Sequence, residues 1–298
     1  MTVRTHRVPL SETSRSLEVQ NPVGSTTVEA DPAAEETVIE VEALNGTAEE
    51  VIDQVDLIVT RGHLRISVPE RRLLRTPAFA ITVSTPPDVD VRVTGASATA
   101  SLRGRLGEVT LTSSSGDLGV EHCTALHARS ASGDVRAGRV EGPADVGNAA
   151  GDVRVADARG PLQVRTASGD VLLGSVTTDA TVRTASGDVR VDRAASGRLR
   201  LVTVSGDATV GVAPGLRIWL DVQTVSGRMR SELEDDGPEA GSGAAQLTVA
   251  LQSVTGDLCL RRATAPPTPP APPVPPTPPV PPMVPAAPVP PGTPWSSR

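Results

Sequence analysis

The chain has 298 residues, 38% of them hydrophobic, which suffices to bury a core and to build one large domain or two ordinary ones. Its formal charge is −7, it has one Phe, two Trp and no Tyr, and all 28 of its basic residues are Arg. An acidic chain with almost no rings to stack on bases makes a poor nucleic-acid surface, and no apolar run approaches the roughly 18 residues of a membrane span.

In chain order, the opening "MTVRTHRVPLSETSRSLEVQ" has an early Arg with no apolar run behind it. The expectation is therefore a cytoplasmic protein without signal peptide or anchor, reaching a surface only by a non-classical route. Residues 1–95 are expected to be a β-rich region leading into a solenoid. "TVIEVEAL", "DLIVTRGHLRISV" and "FAITVSTPPDVDVRV" read as strands, and "GTAEEVIDQV" reads as a short helix. Turns are placed at Asn21-Pro22, Asn45-Gly46 and Pro86-Pro87.

Residues 96–262 repeat. "VRTASGDV" occurs at Val164 to Val171 and again, unchanged, at Val182 to Val189. The recurring turn glycines are Gly116, Gly133, Gly151, Gly169, Gly187, Gly206, Gly227 and Gly256, spaced by 17, 18, 18, 18, 19, 21 and 29 residues. Seven and five positions before each glycine the residue is apolar, as in Leu162 and Val164. Two and four positions after it the residue is again apolar, as in Val171 and Leu173, with Ser231 the one break.

Alternation with period two means strands on both sides of the glycine, and the change of parity across Ser-Gly-Asp means a corner. A second corner falls near Gly142-Pro143 and Gly160-Pro161. Two corners and two strands per eighteen residues describe a coil. Coils stacked about 4.8 Å apart pair into parallel sheets, giving an all-β fold, a β-solenoid of the parallel β-helix or β-roll kind, roughly 40 Å long for eight rungs taken in sequence order. A polar column three positions before the glycine (Ser113, Ser130, Asn148, Thr166, Thr184, Thr203, Thr224, Ser253) has inward parity and is expected to hydrogen-bond along its own stack.

An acidic column succeeds the glycines: Asp117, Asp134, Asp152, Asp170, Asp188, Asp207 and Asp257, with Arg228 at the remaining rung. Carboxylates about 4.8 Å apart repel by roughly 3.5 kcal/mol per pair at a surface dielectric, so something must offset the repulsion. One reading is a calcium ladder on Asp134, Asp152, Asp170 and Asp188. The preferred one is structural turn aspartates, paired with Arg136, Arg154, Arg190 and Arg230 on the same outward face or with turn amides.

No catalytic residues and no cofactor are assigned. His6, His63, His122 and His127 are scattered, Cys123 and Cys259 lack metal-ligand spacing, and the SGD serines lack partners for nucleophilic work. Paired acids leave a carbohydrate-active β-helix enzyme as the alternative, but such enzymes need long loops, and the one large insertion is Ser231 to Ala245.

The entry strand "NPVGSTTVEA", the lead-in "ITVSTPPDVDVRVTGASA" and the serial "TASGDV" copies together resemble the bacterial putative-adhesin family of unknown function with β-strand repeats, over about residues 15–262. The resemblance implies a β-solenoid, no established activity, and a non-enzymatic adhesin-like or scaffold role presenting a repetitive polar surface. In outline the chain is also similar to bactofilins, which polymerise. Self-association through solenoid ends is thus expected, beside an unknown protein or cell-envelope partner.

Residues 263–298 form a proline-rich tail holding 17 of the chain's 28 prolines from Ala265 onward. Its period of three is that of polyproline II, with Thr268, Ala271, Val274, Thr277, Val280 and Met283 on one stripe. The tail is expected to be a disordered spacer or a segment that docks on a partner.

Overall fold

The computed structural model describes residues 2–9, 15–60, 62–69, 76–233 and 246–263. The proline-rich tail and most of the insertion after Ser231 lie outside the described residues. The compact unit that ends at Thr264 is almost entirely strand, and it is a β-solenoid.

Each rung contributes one strand to each of two parallel ladders. In the central rungs the register is strict: Val164 pairs with Val182, and Val171 pairs with Val189. Like therefore stacks on like. Val164, Val182, Leu173 and Val191 are all fully buried. The outward neighbours Arg165 and Arg183 sit beside each other on the exposed face, as period-two alternation requires. Aliphatic side chains fill the interior, and Phe79 is the one aromatic ring buried in it among the described residues.

The corners explain the glycines. Gly116, Gly133, Gly151, Gly169, Gly187 and Gly206 have φ between 112° and 145°, a region L side chains rarely adopt. A Cβ at Gly169 would also lie 2.2 Å from the Gly151 carbonyl oxygen, and one at Gly187 would lie 2.2 Å from that of Gly169. Rung spacing thus leaves no room for a side chain, apart from any torsional preference.

The inward polar column departs from expectation. Its hydroxyls do not bond along the stack. Ser130, Thr166 and Thr184 each donate to the carbonyl two residues on in their own rung, at 3.1, 3.0 and 3.1 Å. Asn148 reaches further, its amide donating to the Gly133 and Gly151 carbonyls at 3.1 and 2.9 Å. The strand end turns its own carbonyl toward the hydroxyl, and that local acceptor is closer than a hydroxyl a full rung away. The hydroxyls of Ser113, Thr203, Thr224 and Ser253 have no partner.

Stacking does not keep to chain order at either end. Strand Ser16–Gln20 lies between His63–Ser67 and Asp90–Thr94, while Val23–Ala30 lies between Phe79–Thr85 and Ser97–Ser115. The first 95 residues therefore continue both ladders rather than merely leading into them. At the other end Leu247–Thr255 is inserted between Gly197–Ser205 and Ile218–Ser226. The rung around Gly227 is consequently the last in space. From His63–Ser67 to Ile218–Ser226 the first ladder has eleven parallel strands, about 48 Å at 4.8 Å each.

The two ends differ. The N-terminal end is closed by antiparallel strands: Asp56–Thr60 on the first ladder, and Glu36–Ala43 then Val3–Pro9 on the second. Helix Gly46–Val51 adds buried Ala48 and Val51, and the Asn45 side chain caps it by accepting from the Ala48 N–H at 2.8 Å. At the C-terminal end Ile218–Ser226 and Met229–Ser231 each pair on one side only among the described residues.

Two glycines with positive φ separate the steric from the torsional effect. Gly215 has φ 75° and open space where a Cβ would go. Gly215→Ala should cost about 1 kcal/mol, the torsional penalty alone. Gly169→Ala adds the clash with the Gly151 carbonyl and should cost at least about 2–3 kcal/mol more or abolish folding, as read from urea midpoints of the two variants.

Candidate functional site

The chemistry-bearing side chains fall on the outer surface in three places: the acidic column at the corners, a trough on the second ladder, and a recess near the N-terminal end.

At the corners each aspartate faces the next rung's backbone. Asp117 Oδ1 accepts the Asp134 N–H at 2.9 Å, Asp134 that of Asp152 at 2.9 Å, and Asp152 that of Asp170 at 3.0 Å. The run continues through Asp170 to Asp188 and Asp188 to Asp207 at 2.9 and 2.8 Å. It then passes from Asp207 to Asp257 at 2.7 Å and ends with Asp257 accepting the Arg228 N–H at 2.8 Å. Arg228 stands on the last rung of the stack. A carboxylate there would have no next-rung N–H to accept among the described residues.

The second oxygens take arginines at the start of the column. Arg136 reaches Asp134 Oδ2 at 2.6 Å and Asp117 Oδ2 at 3.5 Å, and Arg154 reaches Asp152 at 2.8 Å and Asp134 at 3.7 Å. Arg190 instead turns to Asp192 at 2.7 Å. Asp134, Asp152, Asp170 and Asp188 therefore stand in one column, each with Oδ1 engaged by a backbone N–H. Among the described residues no cluster of three or more His, Cys, Asp or Glu has metal-binding geometry.

The trough, of about 860 Å³, crosses the rungs on the outward face of the second ladder. Gly138, Ala156 and Gly174 line it together with Arg103, Arg136 and Arg154. Two of these positions admit no side chain: a Cβ at Gly138 would meet the Glu121 carbonyl at 2.2 Å, and one at Gly174 that of Ala156 at 2.3 Å.

The recess, of about 270 Å³, holds a relation that reading along the chain misses. Ser16 Oγ lies 2.8 Å from His63 Nδ1, and His63 Nε2 lies 3.5 Å from Glu18 Oε2. The serine with partners is thus outside the SGD turns, and its histidine is 47 residues away, brought alongside by the out-of-order rung. Ser16 Oγ also lies 3.4 Å from the Gly62 carbonyl oxygen. The tautomer of His63 decides whether Ser16 donates to Nδ1 or accepts from it; with Nε2–H turned to Glu18, Nδ1 is the acceptor.

The remaining candidates separate. His122 pairs with Glu141 at 3.2 Å. Cys123 is buried, and burial pushes its thiol up to about 12, so it carries no thiolate at neutral pH. Arg129 grips Asp145 through two bonds of 3.2 and 2.6 Å and holds that carboxyl below its ordinary range. No helix among the described residues is long and apolar enough to cross a membrane.

No curated protein matches the chain. Among solved structures, a putative lipid binding protein from Parabacteroides distasonis is 13% identical over 87% of this chain and 97% of its own, with a TM-score of 0.45. A putative adhesin from Bacteroides fragilis is 12% identical over the same shares, with a TM-score of 0.36. A putative cell adhesion protein from Clostridium sporogenes is 11% identical over 88% and 99%, with a TM-score of 0.27. The model of the Toastrack family, a family of unknown function designated DUF4097, matches residues 16–261, and the chain belongs to that family.

Proposed function

We propose that the chain is a non-enzymatic solenoid that works as an adhesin-like or scaffolding module, binding a cell-envelope partner or further copies of itself. The observation that carries this reading is the use made of the charged column. Its carboxylates accept backbone N–H groups of the next rung, so the acidic column holds the rod together instead of lining a cleft. The thiol of Cys123, buried and protonated, is unsuited to attack, which supports the same reading.

Purified full-length chain mixed with cell-envelope fractions is expected to co-sediment with them or to self-associate at high concentration. Failure of both would overturn the proposal, as would turnover of any member of a glycan panel.

The aspartates separate an acceptor role from a metal-ligand role. Asparagine keeps a carbonyl oxygen where Asp170 Oδ1 sits and alanine does not. Asp170→Asn should leave the melting temperature nearly unchanged, whereas Asp170→Ala loses a bond worth about 1 kcal/mol. Chelator should shift neither melting curve. A fall in melting temperature with chelator, or equal damage from both substitutions, would instead favour calcium between rungs.

A further inference from the structure

We propose that the solenoid self-associates end to end through its C-terminal rung, in a two-fold head-to-head dimer whose strands Ile218–Ser226 pair antiparallel, centred on Val222. This rests on the self-association part of the function proposed above and specifies its surface.

The rung that ends the stack has the side chains of an interior rung. Ile218, Leu220 and Val222 are only half buried, where the residues matching Leu220 and Val222 in the other repeat rungs are buried. Around them Trp219 is 55% exposed, Val225 83% and Met229 44%. One edge of the strand pairs with Leu247–Thr255 and the other is open among the described residues. An open strand edge above an uncovered core invites another strand.

The strand matches itself when reversed. Antiparallel pairing centred on Val222 sets Trp219 opposite the partner's Val225 on the outer face, joining the two most exposed large apolar residues among the described residues. Asp221, the one charged residue of the strand, falls opposite the partner's Gln223, whose amide can donate to it, and not opposite another acid. On the inner face Leu220 meets the partner's Thr224 and Val222 meets its own copy. A two-fold axis normal to the sheet keeps inward residues inward, so both cores become one.

A head-to-tail chain fits less well. The outermost strands of the opposite end, Asp56–Thr60 and Val3–Pro9, run antiparallel to the stack, so the partly buried Val55 and Leu57 there do not continue the parallel columns. Arg228 also ends the aspartate run, so the last rung presents no carboxylate to the backbone of a further rung. The polarity of the stack therefore stops here, and reversal of direction suits the interface.

Paired cysteines in the full-length chain test the register, in a Cys259→Ser background. Asp221→Cys and Gln223→Cys proteins, mixed in equal amounts and oxidised, are expected to give covalent dimer at least about tenfold faster than either alone, because the mixed pair is directly opposite and the like pairs are diagonal. Sedimentation should show that Trp219→Lys with Val225→Lys weakens dimerisation by about tenfold or more, both positions being exposed enough to leave the melting temperature in place. Three results would overturn the interface: a monomer at every concentration, no preference for the mixed pair, or faster crosslinking of Asp221→Cys to Ile58→Cys on the N-terminal edge. Self-association that ignores the two lysines would refute this surface alone, and envelope binding by a monomer would leave the function standing without it.

Discussion

The approach of one corner to the next sets the terms for everything else. Parallel strands about 4.8 Å apart bring each Ser-Gly-Asp turn against the carbonyl of the turn below, and a side chain at the glycine would lie 2.2 Å from that oxygen at Gly169, Gly187 and Gly206. Once glycine is fixed, the residue after it has an amide that points at the neighbouring rung and needs an acceptor. Aspartate supplies one, and its charge is tolerable because every carboxylate receives an N–H dipole. Each such bond offsets part of the like-charge repulsion of the column, and Arg136 and Arg154 add to it at the first rungs. The interaction is also directional: every aspartate accepts from the rung stacked next after it. Such a run has a last donor that requires no acid of its own, and Arg228 occupies that place.

That polarity makes sense of the irregular spacing at the C-terminal end. The 29 residues between Gly227 and Gly256 are the path of a chain that builds its final rung and then returns to fill the one beneath it. The N-terminal end does the same, with Ser16–Gln20 slipped between strands that come much later. Within the middle, contacts join residues 18 apart, as between Val164 and Val182; at the end they join residues 50 apart, as between Leu201 and Leu251. Non-local pairing costs more loop entropy before it yields burial. The middle of the rod is therefore the natural place for folding to begin, and the two inserted rungs close late.

How much of the fold was legible depends on the same distinction between local and non-local. The columns at Leu162, Val164, Val171 and Leu173 are read directly from alternation, because parity relative to the glycine is a property of a few consecutive residues. The helix read in "GTAEEVIDQV" is equally local and forms at Gly46–Val51, while "DLIVTRGHLRISV", read as strand, forms two strands, Asp56–Thr60 and His63–Ser67, paired antiparallel. The order of rungs is not local. Gly227 precedes Gly256 in the chain and comes after it in space, and no periodicity encodes that exchange. The Ser16 and His63 contact was hidden for the same reason. The error at the polar column was of another kind: parity told that Thr166 and Thr184 face inward, but the choice between the hydroxyl above and the carbonyl of the same rung depends on how the strand ends before the corner.

Constancy and variation divide the surface into what holds the rod and what is left to act. The position two after each glycine is apolar at every rung. The next outward position runs Gly119, Arg136, Arg154, Leu172, Arg190, Thr209, Cys259 and Arg230 in order of stacking. Stacking tolerates this range because an outward side chain meets solvent on one side and needs no matching neighbour. The trough lies on this variable face, between arginines whose charge is already shared with Asp134 and Asp152. A partner recognised along the rod would have to read such departures from the repeat, since the repeat itself is spent on cohesion; a partner recognised at the C-terminal end would read a rung that pairs on one side only among the described residues. The two surfaces differ in kind, one set by sequence variation and the other by the end of a stack.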